Sequence, residues 1–193
     1  NVLSPITTGL ITMLLASYGS KTVAAYAVGS RIEPIALLVI ISLSTVLTPF
    51  IGQNLGAGKH KRVLEALKVT LIFSLIWQGG ISLILIVLSS PLAHIFSADL
   101  DVTGSIQNFI WIIPSSYGFL GISILVCSAF NAAHKPMLAT GIQLLRLFGL
   151  YIPLAYSGSH LFGVSGIFIG ISLGNFISGI VAFFLMRKHF AHE

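Results

Sequence analysis

The chain has 193 residues, 55% of them hydrophobic and 8% charged, with a mean hydropathy of +0.99 and a formal net charge of +5. Soluble domains carry roughly 25% charged residues, so the composition excludes a free soluble fold. Cys127 is the only cysteine, which excludes an intrachain disulfide, and the six histidines are scattered without the spacing of a zinc or haem ligand set.

Segments without Asp, Glu, Lys or Arg run over 1–20, 34–58, 69–98, 102–134 and 147–186. Each is long enough for the roughly 20 apolar residues of a membrane-spanning helix. The last holds two spans, separated by the turn Ser157-Gly158-Ser159-His160. A secretory signal would be one short segment near the start, and a transmembrane barrel would show alternating strands of about ten residues; neither pattern is present. The expectation is an all-α polytopic bundle of six transmembrane helices, forming a single lobe over 1–193. Their approximate bounds are 2–18, 22–50, 62–90, 104–130, 136–157 and 163–187.

The first predicted helix has no formal charge and leads through Lys21 into the second. There Arg31 and Glu33 fall about 14 and about 17 Å along the helix from Thr22, near mid-membrane. A charge at that depth is costly unless it is paired or faces water. Residues two apart do not share a helix face, so each needs its own partner, or the helix bends at Pro34. Three readings stay open: a satisfied polar knot between helices, a role in ion coupling or cavity lining, or a helix start so placed that both residues lie near the outer interface.

The second helix ends in Gly52-Gln53-Asn54-Leu55-Gly56-Ala57-Gly58. Gly52, Gly56 and Gly58 permit unusual dihedrals and close approaches, while Gln53 and Asn54 can bond helix-end carbonyls, which suits a structural hinge or latch. It is not a phosphate loop, because no Gly-Lys-Ser/Thr ending and no strand accompany it.

The fourth helix carries Pro114, Ser115, Ser116 and Tyr117, placing a phenol at depth. In the fifth, Arg146 sits about ten residues in, with Gln143 one turn earlier on the same face. Arg146 suits either a partner for Glu33, or for a carboxylate outside this chain, or the lining of a polar path. The sixth helix has Gly166, Gly170 and Gly174 at a spacing that allows close helix approach.

Orientation follows from the loops. Lys59, Lys61 and Arg62, then Lys135, then Arg187 and Lys188 fall on alternate connections and belong to the cytoplasmic side. The connection with Asp99 and Asp101 is then external, and so are those at Tyr18–Thr22 and Ser157–Gly163. Seven of the ten basic residues are thus explained by topology, counting Lys68, and no basic face is left over for nucleic acid. The basic turn meets anionic lipid of the inner leaflet.

Ala24-Ala25-Tyr26 entering the second helix and Gly52-Gln53-Asn54-Leu55-Gly56-Ala57-Gly58 leaving it carry a specific resemblance. So do Pro114-Ser115-Ser116-Tyr117-Gly118 and Ser128-Ala129-Phe130-Asn131-Ala132 before Lys135-Pro136. Together they resemble the carboxyl-terminal half, helices seven to twelve, of the multidrug and toxic compound extrusion (MATE) family of transporters. The resemblance implies one of two six-helix lobes around a central cavity, in the bacterial plasma membrane. It implies export of cationic amphipathic organic compounds in exchange for Na⁺ or H⁺, with no cofactor. It also implies a missing amino-terminal lobe as partner, in keeping with a chain that starts at Asn1 and enters its first helix almost at once.

Several family members hold a cation with carboxylates of the seventh and tenth helices, but 1–18 and 104–130 contain no Asp or Glu. The coupling acid then lies in the other lobe, or Glu33 has taken part of its work. A flippase for a lipid or lipid-linked molecule is the nearer alternative, and a channel or structural membrane subunit the remote one. No paired carboxylates, metal ligands or activated nucleophile support an enzyme.

Overall fold

The computed structural model describes residues 3–190. Its helices are α1 (Leu3–Ala16), α2 (Ser20–Ala36), α3 (Leu38–Gly56), α4 (His60–Val87), α5 (Ser89–Phe96), α6 (Leu100–Ile112), α7 (Tyr117–Ala132), α8 (Pro136–Leu144) and α9 (Ile152–Phe190). A 3-10 turn at Pro114–Ser116 joins α6 to α7, and a π-helical segment at Leu145–Tyr151 joins α8 to α9. Among the described residues, four helical runs are long and apolar enough to cross a membrane: Leu38–Gly56, His60–Val87, Leu100–Ala132 and Pro136–Phe190. Leu3–Ala16 is a shorter apolar helix. The chain has the helices of a multi-pass membrane protein.

The sequence predicts six separate spans, whereas the described residues form nine α-helices, of which α1 and α2 are short and the last two predicted spans run together across a kink. Most of the added breaks fall at or near proline. Pro91 lacks an N–H and its ring crowds the carbonyl of Val87, and α4 ends at Val87 with α5 starting two residues later. Pro114 opens the 3-10 turn inside the predicted fourth helix. Pro153 crowds Gly149, and there the backbone widens into the π segment. The expected bend at Pro34 appears three residues later, where Leu37 (φ −87°, ψ −3°) parts α2 from α3.

These interruptions free backbone carbonyls in a medium without water, and α4 supplies the donors. Its buried Ser74, Gln78 and Ser82 recur every four residues on one face. Gln78 donates to Ala36 O at 3.1 Å, Ser82 donates to Pro114 O, and Ser74 donates to Gly118 O at 3.4 Å. Broken helices are tolerated in lipid when neighbours satisfy the freed groups in this way.

The run Pro136–Phe190 would be about 80 Å long if straight. It folds back at Phe162 and Gly163, and Gly163 has φ 57° and ψ −135°, a combination open to glycine. The two arms then pack antiparallel. A methyl on Gly158 would strike the Gly166 carbonyl, one on Gly166 the Gly158 carbonyl, and one on Gly170 the Leu154 backbone. At Gly174 the neighbour is the Tyr151 ring, 2.7 Å away. The three glycines of the predicted sixth helix therefore seat it against the helix immediately before it.

α7 is the central helix, packed on α3, α4, α8 and α9. Two apolar clusters fill the bundle. One joins α1, α2, α6 and the hairpin around Phe109, Tyr117 and Phe168; the other joins α3, α4, α7, α8 and the end of α9 around Leu125 and Phe130. Outward side chains are also apolar, with Ile35, Ile76 and Val87 each more than 70% exposed, as a lipid-facing surface requires.

The ends differ in charge. At one, Lys21 pairs with Asp99 (2.9 Å) and Asp101 (2.7 Å), and Tyr18 donates to Ser159 O. At the other, Lys59, Lys61 and Arg62 lie at the α3–α4 connection and the start of α4, Gly52 lies near Ala132, and Phe130 meets His189 edge-on and Phe190 at a tilt.

Candidate functional site

A cavity of about 170 Å³ opens between α1, α2, α6 and the π segment. α1 contributes Ser4, Thr7 and Thr8; α2 contributes Tyr26, Ser30 and Glu33; the π segment contributes Arg146, Leu147 and Tyr151. Phe109, Ile113 and Ile171 close it. Tyr26, Ser30 and Glu33 reach the same cavity because three- and four-residue steps keep one helix face. Phe109 packs over Gly29, where any β-carbon would overlap its ring, and this lets α6 approach α2.

Glu33 and Arg146 are both half-buried and face this one cavity. Glu33 and Arg146 form no ion pair with each other within 4.0 Å, so the two opposite charges share the space without direct contact. The Arg146 guanidinium lies 5.5 Å from the Tyr151 ring centre, a cation–π arrangement. Tyr151 Oη donates to Asn175 Oδ1 at 2.6 Å, Asn175 Nδ2 donates to Ser116 Oγ at 2.9 Å, and Ser116 Oγ donates to Ile113 O at 2.8 Å. This chain of bonds ties the arginine's support to the 3-10 turn, and Asn175 and Ser116 are fully buried.

The other sequence candidates are placed differently. Arg31 is exposed, on another face of α2 from Glu33, and does not line the cavity. Tyr117 is fully buried in the apolar cluster, and its hydroxyl has no hydrogen-bond partner among the described residues. Gln143 lines a separate cavity of about 30 Å³ with Ser123, Cys127 and Arg146, so Arg146 borders both spaces.

The glycine-rich segment is mostly helix. Gly52, Gln53, Asn54 and Gly56 belong to α3, and Asn54 Nδ2 bonds Phe50 O within that helix at 2.8 Å. A side chain at Gly56 would meet nothing within 4 Å, and Gly52 makes only an ordinary contact. Of the three glycines, Gly58 alone needs its residue type for the backbone: it has φ 68°. Lys59 N bonds Asn54 O at 2.8 Å and Gly58 N bonds Leu55 O at 3.0 Å, the paired bonds of a Schellman cap.

Tyr26, Tyr151, Asn175 and Ser116 were not among the sequence candidates. The signal for Asn175 was present, as a lone amide in an otherwise apolar span. Tyr151 and Ser116 carry no such local mark, since hydroxyls and phenols are common in bundles.

Residues 1–157 match the family model described as MatE. The chain belongs to the MatE family. A FAD transporter of Shewanella oneidensis is 38% identical over 97% of this chain and 42% of its own length. The structure of the Vibrio cholerae MATE transporter VcmN in the bent form superposes with a TM-score of 0.95 at 36% identity, covering 99% of this chain and 44% of that one. The MATE transporter ClbM in complex with Rb⁺ shares the fold, with a TM-score of 0.92 at 20% identity. This MatE chain thus spans less than half the length of these relatives.

Proposed function

We propose that the chain is one lobe of a secondary active transporter that works by alternating access and exchanges an organic substrate for Na⁺ or H⁺. The cavity that holds Glu33 and Arg146 carries this reading. A carboxylate and a guanidinium facing one hydroxyl-lined space, without touching, leave room for a small cation or a proton at Glu33. Its arrival neutralises the carboxylate and changes the balance of charge against Arg146, which is how ion binding could bias a lobe between two arrangements.

In this reading the bundle crosses the membrane six times: α1, the α2–α3 rod, the α4–α5 rod, the α6–α7 rod and both arms of the hairpin. The basic end faces the cytoplasm. A second lobe supplies the other wall of the path, as the coverage of 42–44% of related transporters supports. Gly58 and its cap hold the α3–α4 turn against inner-leaflet lipid. Exported substrates are cationic amphipathic organic compounds. The similarity to a FAD transporter favours a second reading, in which an anionic flavin dinucleotide is the cargo.

The test is transport per folded molecule by the intact protein in proteoliposomes, across pH and Na⁺ series, with a fluorescent organic cation and with flavin dinucleotide. Glu33→Gln should reach the membrane normally and lose roughly tenfold or more in rate, equivalent to ~1.4 kcal/mol, with an altered ion dependence. An unchanged rate and unchanged ion dependence would remove the coupling role from Glu33.

A further inference from the structure

A groove of about 410 Å³ lies between α4, α7 and the end of α9 and shares no lining residue with the Glu33 cavity. Its floor is the buried Leu71, Ile122 and Met186, and Ile72, Leu75 and Phe183 form half-open walls. The remaining polar groups of the lining are two cations, Lys68 and Arg187, both exposed. Among the described residues neither makes a hydrogen bond or an ion pair. Leu64, Lys68, Leu71, Ile72 and Leu75 share one face of α4 at three- and four-residue steps. The apolar wall therefore runs from the charges towards the middle of the bundle for about 10 Å.

We infer that this groove binds an anionic phospholipid, with the phosphate between Lys68 and Arg187 and an acyl chain along Leu71, Ile72, Leu75 and Phe183. The argument is charge complementarity at a fixed depth. Both cations sit at the basic end of the bundle, and the groove below them is apolar. This matches a lipid with a negative headgroup at the interface and hydrocarbon beneath it. Long basic side chains reach the interface while their stems cover apolar surface. A packed helix would need a longer apolar seam without charges set into it. The inference rests on the basic end facing the inner leaflet and is independent of Glu33.

Native mass spectrometry of the intact protein in detergent, titrated with phosphatidylglycerol or phosphatidylcholine, tests the site. Phosphatidylglycerol should bind preferentially. The Lys68→Gln/Arg187→Gln double variant should bind it about 25-fold more weakly, at about fivefold per charge. Lys68→Arg/Arg187→Lys should bind as the parent does, which separates lost charge from lost folding. Ile72→Trp, which fills the wall, should also weaken binding without altering the melting temperature in lipid-free detergent. Equal affinity for the two lipids, or undiminished phosphatidylglycerol binding in the double variant, would overturn the site. Displacement of the lipid by inorganic phosphate would reassign the rim to a free anion, and a second protein chain seated in the groove would replace the lipid as its occupant.

Discussion

Gly158→Ala is the sharpest probe of the terminal hairpin. Alanine in place of a helical glycine stabilises by about 1 kcal/mol on propensity alone. Here the new methyl meets the carbonyl carbon and oxygen of Gly166, backbone atoms that cannot rotate aside. Overpacking of this kind costs about 1–3 kcal/mol, and the rigid neighbour places it near the upper value. The net is a loss of about 2 kcal/mol, or about 4–8 °C in melting temperature for a chain of this size. Gly79→Ala is the control, since nothing lies within 4 Å of its added carbon; it should melt about 2–4 °C above the parent. Gly174→Ala should fall between, because its neighbour is a ring that can tilt. Fluorescence-detected melting of detergent-purified protein measures all three. If Gly158→Ala melts as high as Gly79→Ala, the two arms do not touch at Gly158 and Gly166.

Asn175→Leu should lower stability by about 1–2 kcal/mol, because it leaves the buried Tyr151 hydroxyl without its acceptor and removes the donor to Ser116 Oγ; a melting temperature equal to the parent's would mean these bonds are replaceable. Lys21 and Asp99 at the acidic end titrate outside the membrane. Hydrogen bonds to Asp101 and Asp99 hold the Lys21 ammonium above its ordinary range, and the Lys21 bond holds Asp99 below the usual carboxylate range. The Asp99 contribution is thus present above the ordinary carboxylate pKa and lost as pH falls through its lowered native value. That of Lys21 is present below the ordinary lysine pKa and lost as pH rises past its raised value. Lys21→Met should therefore differ from the parent by a small, constant amount between about pH 5 and about pH 9. The difference should vanish in strong acid and shrink in high salt; one that grows in acid would contradict the pairing.

Much of the architecture could be read from residue order because lipid excludes charge locally. Uncharged stretches mark membrane segments, and the depths of Glu33 and Arg146 can be counted from segment ends. Their convergence on one cavity could only be weighed as one option, since it depends on how α2 packs against the π segment. Arg31 lies at a depth close to that of Glu33 but two residues away on another helix face, and it is exposed outside the cavity. By residue type the Gly52–Gly58 segment suits a hinge or latch; α3 nonetheless continues to Gly56, and of the segment's glycines only Gly58 adopts a dihedral that requires one. The Ser74-Gln78-Ser82 row on α4 was visible as a polar stripe. Its purpose was not, because the carbonyls it serves belong to breaks in other helices.

The glycine contacts also determine which parts of the bundle can move separately. Two helices in backbone contact at Gly158–Gly166 and Leu154–Gly170 have little freedom to slide or part, so they behave as one stiff arm. That arm is anchored near the tip by Tyr18 on Ser159 O and ends, roughly 12 Å from that anchor, at Tyr151 and the widened turn bearing Arg146. A displacement at the Tyr18–Ser159 contact is therefore delivered towards the arginine by the whole lever, rather than absorbed along its length.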